Sequence, residues 1–71
     1  MQTTTRTHVR IVELDGTAYH TIYDGTVAEF RSGGPVGPTM ERLIEDALAT
    51  GEARGVVRDR DGDVTVRVMA Y

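Results

Sequence analysis

Apolar and polar residues alternate with a period of two along most of this chain, the pattern of half-buried strands. Val, Ile, Thr and Tyr, residues that suit a pleated surface, dominate runs at about 6–14, 17–23 and 26–32, and again at about 53–60 and 63–70. Asp15-Gly16, Asp24-Gly25 and Asp61-Gly62 punctuate these runs. Asp-Gly is a strong hairpin signal, because a tight type I′ turn needs positive φ at both central residues. The pattern therefore predicts a three-strand meander followed later by a second hairpin.

The period changes once. Met40, Leu43, Ile44, Ala47 and Leu48 form a single apolar stripe at helical spacing, predicting a helix at about 40–50. Thr39 is placed to cap its start, and Gly51 suits the left-handed residue that ends it. The preceding segment, Gly33-Gly34-Pro35-Val36-Gly37-Pro38, suits neither helix nor strand. The expectation is a single α+β domain over residues 1–71, with residues 1–5 frayed. Its single, mostly antiparallel sheet has about five strands in the order βββ-α-ββ, and one helix packs on one face.

Alternation also sorts side chains onto faces. With Asp61-Gly62 as a two-residue loop, Val57, Val64, Val66, Val68 and Ala70 share one face, which should meet the helix stripe. Arg54, Arg58, Arg60, Arg67 and Tyr71 share the other. In the meander, Val9, Ile11, Ala18, Ile22 and Val27 share a face with His20 opposite Glu29. Val12, Leu14, Tyr19, Tyr23, Ala28 and Phe30 share the opposite face. One short helix covers only one of these apolar sets. The bulkier aromatic set, with a Tyr19–Phe30 pair, is expected toward the core. That leaves Val9, Ile11, His20, Ile22, Val27 and Glu29 for an interface, most simply with a second copy of the chain.

Composition narrows the chemistry. The 71 residues are 39% hydrophobic and 27% charged, a globular balance in a chain too short for a thick core. Cysteine is absent, so disulfides and thiolate zinc sites are excluded. Every basic side chain other than the two histidines is arginine, which excludes lysine Schiff-base chemistry and a Walker lysine. A net charge of −3 gives no global pull toward nucleic acid or an anionic membrane. No apolar run is long enough to cross a bilayer, and Met1–Thr7 has no apolar leader core, so the expected location is cytoplasmic.

Four groupings merit weighing as chemistry. Asp59-Arg60-Asp61-Gly62-Asp63 resembles a calcium loop, but its glycine comes two positions early and no glutamate ligand follows. The Gly33–Gly37 segment precedes a helix as phosphate cradles do, but its prolines remove backbone donors. His20 facing Glu29 could exchange a proton, yet no nucleophile accompanies it. The arginine face with Tyr71 could hold phosphates and stack on a base, against the overall acidity of the chain.

No constellation assigns a catalytic residue, a metal or a cofactor. The expected function is therefore a non-enzymatic, self-associating domain that binds a protein partner in an accessory or regulatory role. A nucleic-acid-binding module acting through Arg54, Arg58, Arg60, Arg67 and Tyr71 is the alternative. A small enzyme or ligand binder with a site at a dimer interface is the third reading.

Overall fold

The computed structural model describes residues 6–59 and 62–71. Four strands form one fully antiparallel sheet: β1 (His8–Asp15), β2 (Ala18–Thr26), β3 (Glu52–Asp59) and β4 (Gly62–Ala70). Two helices, α1 (Val27–Ser32) and α2 (Pro38–Thr50), separate the two hairpins in the chain. The spatial order is β2-β1-β4-β3, so the central strands come from opposite ends of the sequence and the edges are β2 and β3.

The α+β class agrees with the sequence, and so do one main helix and the second hairpin. The third meander strand does not exist. Residues 27–32 form α1, because Thr26 caps them: its Oγ1 accepts from the Glu29 backbone N–H at 3.2 Å. Thr26-Val27-Ala28-Glu29 is a capping-box sequence, a helix-start signal that competes with the strand-like alternation. Asp24-Gly25 consequently makes no turn. Both residues lie within β2, paired with Arg10 and Val9.

Both hairpins pair two residues out of the register expected from their Asp-Gly pairs. Asp15 pairs with Ala18, so the first loop is Gly16-Thr17, with Gly16 at φ 64°. Asp59 pairs with Gly62, so Arg58 faces Asp63 and Arg54 faces Arg67, instead of Thr65 and Met69. A shift of two preserves the side of the sheet on which each residue falls, because side chains alternate with period two. The face assignment of the second hairpin therefore stands.

α2 begins one residue before the expected cap. Gly37 is the N-cap without a side-chain bond, and Pro38 occupies the first turn, where its missing N–H is no loss. Gly51 ends the helix at φ 102°, and its N–H donates to the Ala47 carbonyl at 2.6 Å.

The core is Val9, Ile11, Val27, Leu43, Ile44, Ala47, Val66, Val68 and Ala70. Val9 and Ile11 are fully buried, opposite to the face expected for them. The reason is the pairing of β1 with β4, which sets Val9 opposite Ala70 and Ile11 opposite Val68 on the helix side. A bulge in β2 re-sorts its own residues. Ile11 pairs with Tyr23 and Val12 with Thr21, leaving Ile22 without a β1 partner. One extra residue reverses the alternation. Tyr23 therefore leaves the Tyr19 face, joins Val9 and Ile11, and meets Phe30 of α1 at a centroid distance of 4.8 Å. The Tyr19–Phe30 pair is replaced by Tyr23–Phe30.

Arg31 ties the two helices together. Its guanidinium donates to Glu41 Oε1 at 2.8 Å, to Glu41 Oε2 at 3.2 Å and to Glu45 Oε1 at 3.1 Å. Those acids lie one turn apart on α2, so a single planar fork reaches both. The hydrogen bonds to Glu41 raise the Arg31 pKa above its ordinary value.

Candidate functional site

Both helices pack on the face that carries Val9, Ile11, Val66 and Val68. Among the described residues, no element covers the opposite face. There the central rows hold His8, Arg10, Val12 and Leu14 from β1, and Thr65, Arg67 and Met69 from β4. Tyr19 and Thr21 flank them on the β2 side, and Glu52, Arg54, Val56 and Arg58 on the β3 side. Val12 is only 7% exposed although no helix lies over it. It sits in register between Thr21 and Arg67, and long flanking side chains can shield such a residue along their apolar stems. Tyr19, Val56 and Tyr71 are each more than half exposed.

The arginines of this face are already answered by acids. Arg54 and Arg67 are directly opposite across β3 and β4, which would repel. Glu52 resolves the conflict: Oε1 accepts from Arg54 Nε at 3.3 Å and Oε2 from Arg67 Nη2 at 2.6 Å. The hydrogen bond from Arg67 is the first cause holding the Glu52 carboxyl below its ordinary range. Arg67 Nε is shut off from solvent with no hydrogen-bond partner among the described residues. Arg58 stands 3.6 Å from Asp63 and is almost fully exposed. Arg60 lies outside the described residues, as does Asp61 of the calcium-like stretch.

A second polar group closes one end of the face. His8 Nε2 lies 2.6 Å from Asp24 Oδ1, and the Tyr71 hydroxyl donates to the same oxygen at 3.1 Å. The rings of His8 and Tyr71 pack at 4.7 Å, and their backbones exchange two hydrogen bonds. The His8 hydrogen bond is the first cause lowering the Asp24 pKa, while Tyr71 is raised, first by burial and then by Asp24. Tyr71 thus belongs to a His–Asp–Tyr clasp. Sequence reading missed His8 and Asp24, since the Asp-Gly turn signal concealed the Arg10–Asp24 register.

The residues expected at an interface do not form one surface. Val9, Ile11 and Val27 are in the core; Val27 is the first residue of α1, not part of a strand. Ile22 is half exposed at the bulge. His20 lies 3.7 Å from Asp15, and Glu29 lies on α1, so the expected cross-strand pair loses its second strand. The surface left open is the Val12/Leu14/Tyr19 face instead.

Among the described residues, no cluster of three or more His, Asp or Glu side chains could hold a metal, and no helix is long and apolar enough to cross a membrane. The Gly33–Gly37 segment lines a shallow, mostly apolar recess of about 470 Å³ with Tyr23, Phe30, Met40 and Val57. Glu29 is its single charged neighbour, a poor setting for an anion. No protein-family model matches the chain, and no curated protein or solved structure matches it either.

Proposed function

We propose that this chain is a non-enzymatic, self-associating domain that docks a protein partner on its uncovered sheet face, in an accessory or regulatory role. The observation that carries the proposal is the composition of that face. An apolar centre of the part-exposed Leu14 and Met69, over the shielded Val12, is framed by the exposed rings of Tyr19 and Tyr71 and by Arg10, Arg54 and Arg67. Tyrosine and arginine around an apolar centre are the residue types that dominate binding energy at protein interfaces. The interleaved acids Glu52, Asp24 and Asp63 favour a protein of mixed charge over a polyanion, which would have to displace them.

Co-purification of the wild-type chain, set against Tyr19→Asp and Met69→Asp, tests this reading. Both changes lie on the open face and leave the helix-covered core intact. A partner retained by the wild type and lost by both variants, each with an unchanged circular dichroism spectrum, is the expected result. A partner retained equally by all three contradicts it.

A further inference from the structure

The two edges of the sheet are not equivalent. β2 carries the bulge at Ile22, and such interruptions protect an edge from pairing with another strand. β3 pairs with β4 in unbroken register from Glu52 to Asp59, with no proline and no bulge. Its open side is a row of backbone donors and acceptors, of which the Glu52 carbonyl already accepts from Thr50 Oγ1 at 2.9 Å.

The register identifies that row. Asp59 faces Gly62, and Ala70 N–H donates to the Gly51 carbonyl at 2.9 Å in the same frame. Bonded and non-bonded pairs alternate in an antiparallel ladder. Odd-numbered residues of β3 therefore turn their backbone groups toward β4. Glu52, Arg54, Val56 and Arg58 turn theirs to the open edge.

We propose that β3 pairs antiparallel with β3 of a second copy, centred on Gly55, joining two four-stranded sheets into one. This rests on the self-association proposed above and specifies its geometry. The side-chain sequence selects the centre. A two-fold at Gly55 sets Glu52 opposite Arg58 of the other copy twice, Arg54 opposite Val56 twice and, on the helix side, Ala53 opposite Val57 twice. A centre at Val56 sets Arg54 opposite Arg58 twice, and a centre at Arg54 opposes that arginine to itself. Like charges directly opposite are destabilising, so of these three centres only Gly55 is self-complementary in charge. Arg58 is available for the contact: it is 89% exposed, and its own acid stands at 3.6 Å.

The pairing also enlarges the docking surface. Two sheets joined at β3 place both uncovered faces side by side on one continuous surface.

Sedimentation equilibrium over a concentration series tests the pairing on the full chain. Val56→Pro removes an N–H that points away from β4, a change edge strands tolerate, so the protomer keeps its fold, as circular dichroism will verify. The expected result is a wild-type dimer whose dissociation constant weakens at least about tenfold in Val56→Pro. Arg58→Glu, which sets a carboxylate opposite Glu52 in the Gly55 register, should weaken it as well. A wild-type chain that stays monomeric at high micromolar concentration overturns both the pairing and self-association. A dimer that survives Val56→Pro but is lost in Met69→Asp overturns the edge assignment alone. A dimer unweakened by Arg58→Glu overturns the Gly55 register.

Discussion

Leu43 of α2 lies directly over Gly55 of β3, so close that a Cβ at position 55 would stand 2.9 Å from Leu43 Cδ2 and 3.3 Å from Cδ1. The glycine lets the helix settle onto the edge strand. Gly55→Val should therefore destabilise by about 1–3 kcal/mol, the usual cost of overpacking. Leu43→Ala should cost on the order of 2–5 kcal/mol, enough to unfold a domain with about 5 kcal/mol in total. The double variant should lose less than the sum, because the alanine vacates the space the valine needs. Thermal unfolding of the four proteins checks the coupling; strict additivity would contradict the contact.

Gly62 has φ 120° and nothing within 4 Å of where its Cβ would be. Any cost of a side chain there is conformational. Gly62→Val should lower stability by roughly 1–2 kcal/mol or more, a fall in melting temperature of about 4–8 °C per kcal/mol in a domain this small. A melting temperature equal to wild type would contradict the assigned backbone.

Thr26→Ala removes the side-chain acceptor at the start of α1. The expected cost is about 1 kcal/mol, with Thr26→Ser retaining most of it. Equal melting temperatures for the alanine variant and wild type would show that the cap contributes nothing.

Asp24 and Glu52 give the fold an acid-sensitive component. Both carboxyls are held below their ordinary values of 3.8 and 4.5, by the His8 and Arg67 hydrogen bonds respectively. A lowered folded-state pKa contributes stability that is present above the unfolded value and lost as pH falls through the folded one. Stability should therefore decline on acidification from about pH 4.5 downward. Asp24→Asn and Glu52→Gln should each flatten that decline. Denaturant midpoints between pH 6 and about 2.5 measure it; identical slopes in the variants would exclude these two groups.

The sequence made the class of fold, the main helix and the face set of the second hairpin legible, because each rests on periodicity. Val57, Val64, Val66 and Val68 reach the helix side even though the register moves by two residues. The first hairpin was harder to read. Its outcome turns on one bulge at Ile22 and one cap at Thr26, both set by local geometry that a two-residue alternation cannot express. Misplacing them put Tyr23 on the wrong face and turned residues 27–32 into a strand, while the burial of Val9 and Ile11 depends on a β1–β4 pairing that no local pattern shows. The arginine face was visible as a set, but its neutralisation by Glu52 was not, because Glu52 falls at the very start of β3, outside the run read as a strand.

Nucleic acid provides the counter-test. With Arg54 and Arg67 held by Glu52 and Arg58 near Asp63, no binding to duplex or single-stranded nucleic acid is expected at about 50 mM salt. A complex whose affinity falls with a slope near −0.9 per phosphate contact, and weakens in Arg58→Ala and Arg67→Ala, would make this a nucleic-acid-binding face instead.

Site-specific photo-cross-linking in living cells of the native host tests the docking face most directly. A photoreactive side chain replaces Tyr19 or Tyr71 on the open face, or Arg42 on the exposed side of α2. All three positions avoid the β3 edge, so adducts with a second copy do not confuse the result. Discrete protein adducts from positions 19 and 71, with none from 42, are the predicted outcome. Adducts from position 42 alone, or none from 19 and 71, would contradict the assignment of the open sheet face as the surface that binds the partner.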